Sequence, residues 1–271
     1  DLDVELHPFE VLNLESGDFN ADFTGTLIDA NQPIAVFAGS EASDAPSFGN
    51  LSARSCCADH LEEQVTPVRA VGRSYVLARM PNRSRAVIAA GAQLDAVEET
   101  EYFRVVAVSP GPTKVTTNLP VPDNAFELVD EGASVTLAVR QDFTLRADKP
   151  VIVADVQASQ EAAGVPRGLP GGDPSLTYVP PVEQWRSDYV LLTPDKYAFD
   201  FLVLMAPATA NVFVDGLPVS RDVCEVGRVS AEHVVYRCQL SFPLIDPHVP
   251  SPQNLTPGRQ NDGVHRVQAD Q

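Results

Sequence analysis

Short apolar runs separated by turn residues dominate this chain. Ile34-Ala35-Val36-Phe37 and Val151-Ile152-Val153 are continuous apolar runs, the pattern of a strand buried on both faces. Residues 134–139 (SVTLAV), 211–216 (NVFVDG) and 233–238 (HVVYRC) are rich in β-branched and aromatic residues and read as further strands. Helical periodicity is scarce, and CCADHLEEQV at 56–65 is the one stretch that predicts a short helix. The first two runs follow the same phrase: TLIDANQPIAV at 26–36 and TLRADKPVIV at 144–153, with HRVQADQ at 265–271 repeating its first half. Proline has a fixed φ and no N–H, which suits the first residue of a strand. The polar pairs before it, Asn31-Gln32 and Asp148-Lys149, are turn chemistry. Each copy therefore predicts a strand, a tight turn and a second, more buried strand.

Other landmarks recur in the same order. EEQ at 62–64 answers VEQ at 182–184, SYVLARMP at 74–81 answers DYVLLTP at 188–194, and residues 102–118 answer 200–216. The largest insertion, at 82–101, ends in an acidic run, DAVEETE, that predicts a solvated loop. The chain has 271 residues, 23 Pro and 16 Gly, which suits two packed units built from short strands. The expected fold is all-β: tandem antiparallel β-sandwich units from an internal duplication. Their boundaries fall at 1–125 and 126–246, followed at 247–271 by an exposed, mobile Pro-rich loop and the start of a truncated third repeat. With no strand after it, that third phrase is expected to add little core or to pair at an edge, leaving Val264 and Val267 without a packing partner. The chain thus reads as a fragment of a longer domain.

The formal charge is −18, from 37 acidic and 19 basic residues. Such a surface repels nucleic-acid phosphates and anionic lipid heads, so neither is an expected partner. No apolar run reaches the length of a membrane span. Arginine outnumbers lysine sixteen to three, a composition that suits a bacterial genome rich in G and C. Of the four cysteines, Cys224 and Cys238 flank a turn and a strand and are expected to bond across a hairpin. Closing that loop is worth about 3 kcal/mol in the chain-entropy picture. Cys56 and Cys57 are adjacent: either they form a vicinal disulfide, or one or both thiols stay free. They are not a zinc site, because no second pair of ligands stands at the required spacing.

Catalytic motifs are missing from the sequence: it has no nucleophile elbow, zincin helix or phosphate loop. The best cluster of chemistry-bearing residues is Asp59, His60, Glu62 and Glu63, with Asp173 and Glu183 from the second unit. Two carboxylates and a histidine are enough for a cation or for acid–base work. The second unit repeats Glu-Gln without the histidine, however, which favours a structural device. On that reading Glu63, Gln64, Glu183 and Gln184 satisfy buried backbone groups at strand ends. Trp185 is expected in the core or at a seam. No cofactor is expected; calcium is compatible with the acidity but has no ligand motif behind it.

The stretches DFTGTLIDANQPIAVFAGS, DHLEEQVTPVRAVGRSYV, FTLRADKPVIV, GGDPSLTYVPPVEQW and GVHRVQADQ resemble the N-terminal domain of the IgGFc-binding protein family. The most specific family phrases supply Asp59, His60, Glu63 and Gln64 in one copy and Asp173, Pro174, Glu183 and Gln184 in the other. The resemblance implies an extracellular or cell-surface, non-catalytic binding or adhesion module, with a surface protein or glycan as ligand. It also implies a cysteine after the Gly-Ser phrase that pairs with the one before Asp-His-Leu; here that position is Ala42. A structural stalk spacing out other domains is the alternative, and a metal-dependent hydrolase a remote third. An exposed apolar patch on one sheet face favours binding, and uniformly polar faces favour the stalk.

Overall fold

The computed structural model describes residues 2–54, 56–194 and 197–270. Strands β1 (Phe37–Ser43) and β2 (Asp59–Gln64) form a two-stranded antiparallel ladder. Seven strands then make one sheet system: β3 (Gly72–Leu77), β4 (Glu101–Ala107), β5 (Thr113–Thr117), β6 (Ala125–Leu128), β7 (Ser134–Val139), β8 (Phe143–Val156) and β9 (Leu176–Tyr178). A short helix, α1 (Arg83–Ala89), lies between β3 and β4. Nine strands follow: β10 (Asp188–Thr193), β11 (Phe201–Pro207), β12 (Val212–Val214), β13 (Leu217–Pro218), β14 (Glu225–Arg228), β15 (His233–Gln239), β16 (Phe242–Ile245), β17 (Leu255–Arg259) and β18 (Gly263–Ala269).

The Asp-Lys-Pro phrase does not make the expected hairpin. Residues 143–156 form a single strand, β8, whose two halves serve different walls. Its first half pairs with β3 and β5, and its second with β4 and β9. At the bend the Asp148 carboxylate accepts the Lys114 N–H at 2.8 Å, and Lys149 Nζ donates to the Pro110 carbonyl at 2.6 Å. The register on β3 shifts there, so the proline meets no ladder position that needs its missing N–H. Leu145, Val151 and Val153 point inward and are fully buried with Phe103, Val105, Phe143 and Tyr75. The boundary expected at residues 125 and 126 falls inside this sheet system, at β6.

The second core repeats the layout. Strands run β13-β12-β18-β10 in one sheet, as β6-β5-β8-β3 do in the first, and β11-β15-β14 form the facing sheet. Leu202, Ala206, Val212, Cys224, Cys238 and Val267 fill the space between. The third phrase is therefore no edge strand: β18 lies between β10 and β12, and Val267 is buried, while Val264 stays exposed. The turn Asp215-Gly216, both at positive φ, closes β12 onto β13 as a two-residue hairpin.

Three local features recur in the two parts. Pro67 and Pro181 each start a short 3-10 turn, at Val68–Ala70 and Val182–Gln184, and each turn leads into a strand. The Gly72 N–H donates to the Tyr75 hydroxyl, and the Arg186 N–H to the Tyr189 hydroxyl, at 3.3 and 2.7 Å. Val65 N donates to Val36 O at 2.8 Å, as Val179 N does to Val153 O at 2.9 Å. The two Glu-Gln phrases, by contrast, occupy unlike settings, since 62–64 lie in β2 and 182–184 in a 3-10 turn. That landmark pair is not a correspondence, and DHLEEQ is a strand rather than a helix.

The first copy of the phrase also departs from expectation. Residues 26–36 form no strand, and Ile28 and Ile34 are 56% and 52% exposed where Leu145 and Val151 are at 0%. Among the described residues no sheet covers them as one covers β8. The segment is tethered farther back, where Arg104 of β4 pairs with Asp22 at 2.6 Å and bonds the Thr24 hydroxyl at 2.6 Å. The Pro-rich loop is partly ordered too. β17 pairs with β16, and Ile245 and Leu255 pack on Val87 of α1.

Tyr75 joins the turn to the bend, since its hydroxyl accepts from Gly72 and donates to the Val151 carbonyl at 2.5 Å. Burial pushes its phenol up to about 12. Tyr75→Phe strands that buried carbonyl and is expected to cost about 1–3 kcal/mol in urea unfolding. Tyr189→Phe, at a half-exposed counterpart, should cost clearly less.

Candidate functional site

Sequence singled out the DHLEEQ strand, and the structure places it at the surface. His60 Nε2 sits 3.2 Å from Glu62 Oε2, with both side chains more than half exposed. The Asp59 carboxylate is turned back onto the His60 N–H at 2.8 Å. Asp173 lies close enough to Asp59 that burial first, and the Asp59 charge second, raise its carboxyl above the usual range. Pro174, next to it, is buried at the approach to β9. Glu183 is elsewhere: its carboxylate accepts the Arg73 and Ser74 N–H groups at 2.9 and 3.1 Å, at the start of β3. Gln184 donates its amide to the Ala70 carbonyl, so the second 3-10 turn is bonded directly onto the first. Glu63 and Gln64 make no side-chain hydrogen bond among the described residues. Five of the six candidate residues thus lie on β2 or beside it, and Glu183 is separate. No group of three or more potential ligands gathers to hold a metal among the described residues.

The cysteines fall in two places. Cys224 and Cys238 stand at disulfide distance in the second core, with Cα atoms 4.3 Å apart. Cys56 and Cys57 also stand at disulfide distance, next to Glu161, whose carboxylate accepts the Cys56 N–H at 2.7 Å.

Sequence reasoning missed the seam between the two cores. The acidic run at 95–101 is a solvated loop only in its first half: residues 95–98 are exposed, and Glu99 to Glu101 turn inward. Glu98 pairs with Arg79 at 2.9 Å, Glu99 with Arg83 at 3.0 Å, and Glu101 is 5% exposed with its carboxylate on the Met80 N–H. Asp155 of β8 is buried nearby, and its Oδ1 has no hydrogen-bond partner among the described residues. Arg237 crosses from β15 to Asp142 at 2.5 Å and to the Arg79 carbonyl at 2.9 Å. Burial pushes Glu101 up to about 7, and burial with the Glu101 charge raises Asp155 well above the carboxylate range. The cleft between Arg79, Glu98, Glu101 and Arg237 holds about 50 Å³, and a second, between Tyr75 and Tyr178, about 90 Å³. Typical small-molecule sites are several-fold larger. Helix α1, which presents this run, carried a readable signal, since Asn82 caps it by accepting the Arg85 N–H at 2.9 Å.

Next to the ion cluster the seam is apolar. Val76, on the outer face of β3, and Ala78, just past its end, pack against Val203 and Met205 of β11 and Val235 of β15, with Trp185 at the margin. The corresponding outer face of the second part is bare: Val190 and Leu192 of β10 and Val264 of β18 are each about 70% exposed. Leu192 lies directly opposite Val264 in the ladder. These three side chains form an aliphatic stripe beside the Arg266–Asp188 ion pair.

A family model described as IgGFc binding protein matches residues 1–271, and the chain belongs to that family. No curated protein and no solved structure matches it.

Two predictions follow from the buried groups. Glu101 and Asp155 hold protons more tightly folded than unfolded, so their contribution is full below the ordinary carboxylate range, near pH 4.5. It is lost as pH rises through about 7. Urea melts from pH 4.5 to 7.5 should lose a few kcal/mol, and Glu101→Gln should flatten that slope. For the second core, unreduced peptide mapping should show a Cys224–Cys238 linkage, and Cys224→Ser should cost about 3 kcal/mol.

Proposed function

We propose that this member of the IgGFc binding protein family is a non-catalytic binding or adhesion module of the extracellular space or cell surface. The reading rests on one observation. The outer face of β10 and β18 carries Val190, Leu192 and Val264 exposed, while the equivalent face of β3 is sealed by protein. An uncovered aliphatic stripe on a sheet face is the feature that separates a binding module from a polar spacer. Two pairs of cysteines at disulfide distance suit an oxidising location. The charge of −18 directs the module away from nucleic acid and anionic lipid and toward a protein or glycan ligand.

The fold reading belongs to the same proposal. The matched turns, tyrosine hydroxyls and strand orders support two sandwich units derived by duplication. In that division β3 to β9 close the first core, and β10 to β15 with β18 close the second. The ladder of β1 and β2 then corresponds to the second half of β8 with β9. The units are divided by core rather than at residue 125.

The test is surface plasmon resonance of the immobilised chain against two purified probes, immunoglobulin Fc and a mucin glycoprotein. Saturable binding to either, lost at least tenfold in Val190→Asp/Leu192→Asp with an unchanged circular-dichroism spectrum, is the expected outcome. No binding to either probe leaves the stalk as the better account.

A further inference from the structure

His265 is enclosed in the second core, and both of its ring nitrogens are engaged. Nδ1 lies 2.8 Å from Asp215 Oδ2, and Nε2 lies 2.9 Å from the Asn261 carbonyl oxygen. The other Asp215 oxygen accepts the Arg266 N–H at 2.8 Å. That bond first, and His265 second, hold the Asp215 carboxyl below the usual carboxylate range. Asp215 is therefore an ionised acceptor, and a backbone carbonyl is never anything else. A neutral imidazole has one N–H and serves only one of these oxygens. Only the imidazolium donates to both.

The first core fills the matching place without any ionisable group. Phe143 of β8 lies opposite Leu77 as His265 of β18 lies opposite Leu191, and both rings are buried. Asn118 stands where Asp215 does. Its N–H donates to Thr144 O at 3.3 Å and its Oδ1 accepts the Thr144 N–H at 2.7 Å. Asp215 makes the same two backbone bonds with Arg266. Packing is thus met by a phenyl ring beside an amide. The imidazole and carboxylate of the second core add a proton that can leave.

The ring also holds the loop 260–262, which joins β17 to β18. Apart from His265, that loop reaches the core only where Asp262 Oδ1 lies 3.4 Å from the Ser241 hydroxyl, which already donates to Asp200 Oδ2 at 2.5 Å. Asp215 is the one carboxylate at ion-pair distance from the ring among the described residues. Of the other charged groups nearby, Arg266 of β18 pairs with Asp188 of β10 on the opposite face of the sheet, and Arg259 lies over the Phe242 ring. Tyr236 of β15 is the titratable side chain that the facing sheet packs against this core.

We propose that His265 is a proton-operated latch on the loop 260–262. As the imidazolium it ties the Asn261 carbonyl to the Asp215 turn. When one proton passes to solvent, the charge-assisted bond to Asp215 is the one kept. Nε2 then turns a lone pair on the Asn261 oxygen, two acceptors face each other, and the loop is released. The loop is closed at acid pH and opens as pH rises through the range in which an imidazole changes charge, about pH 5 to 8. The latch acts whether or not the aliphatic stripe binds a ligand.

NMR of the 15N-labelled full chain tests this by following the His265 ring and the amides of Gln260, Asn261 and Asp262 across that range. At the acid end both ring nitrogens should carry protons. As pH rises Nε2 should lose its proton, Nδ1 should keep its own, and the three amides should shift with the same midpoint. His265→Phe, the residue of the first core, should leave the loop open at every pH. Asp215→Asn should do the reverse, because an amide beside Nδ1 donates to it and leaves the remaining N–H on Asn261. The positive φ of residue 215 suits Asn, so this variant keeps the fold even where the first does not. A ring with one N–H at the acid end, a ring doubly protonated throughout, amides that ignore the loss of the proton, or an unchanged transition in Asp215→Asn would each overturn the proposal. Glu101→Gln should retain the transition; its loss there would assign the movement to the seam instead.

Discussion

The structure depends on one strand that joins two walls of a single seven-stranded sheet system. β8 runs fourteen residues through Asp148-Lys149-Pro150, and its inward side chains, from Phe143 to Val153, line one core across both walls. A strand that bends from one wall to another interrupts the ladder, so neighbouring backbone groups need other partners. Here the Asp148 carboxylate and the Lys149 ammonium bond backbone groups of neighbouring segments, while proline removes one donor from the problem. The Tyr75 hydroxyl then takes the Val151 carbonyl just past the bend. The phrase is spelled by polar residues because the corner needs them, not because a turn reverses the chain there.

The seam between the cores follows from that arrangement. With β3 held on the first half of β8, Val76 on its outer face and Ala78 just past its end meet the second sheet, and the 3-10 turn at Val182–Gln184 settles on the start of β3 through Glu183. Arg237 and Asp142 cross the same seam as a nearly buried pair. Such a pair contributes little net stability once desolvation is counted, but breaking it leaves a buried charge. The apolar half of the seam is therefore the adhesive part, and the ionic half fixes how the two parts align. Exposing the equivalent apolar face on β10 and β18 leaves a surface with the same chemistry and no cover.

Part of this was legible from residues alone. The class was, because short β-branched runs, prolines and Asp-Gly turns leave little room for helices, and the strand at 134–139 lies where its alternation put it. The reuse of one phrase was visible too, and the third copy does occupy the place in its sheet that the first half of β8 has in the other. The partnering of those strands was not legible. A local pattern of apolar, polar and proline residues is the same for a hairpin and for a strand bent between sheets, and only distant partners separate them. Likewise the end of the acidic run, 98–101, looks solvated until Arg79 and Arg83 pair with Glu98 and Glu99 and the Met80 N–H takes the Glu101 carboxylate.

Composition, charge and periodicity thus determined an acidic β-rich chain built on a repeated phrase, because these are sums over neighbours in sequence. Tertiary structure alone decided which copy is buried. Leu145 and Val151 lie at 0% exposure, while Ile28 and Ile34, in the same phrase, stand in solvent. Burial is a property of what covers a residue, and for Leu145 and Val151 the cover comes from strands tens of positions away in sequence.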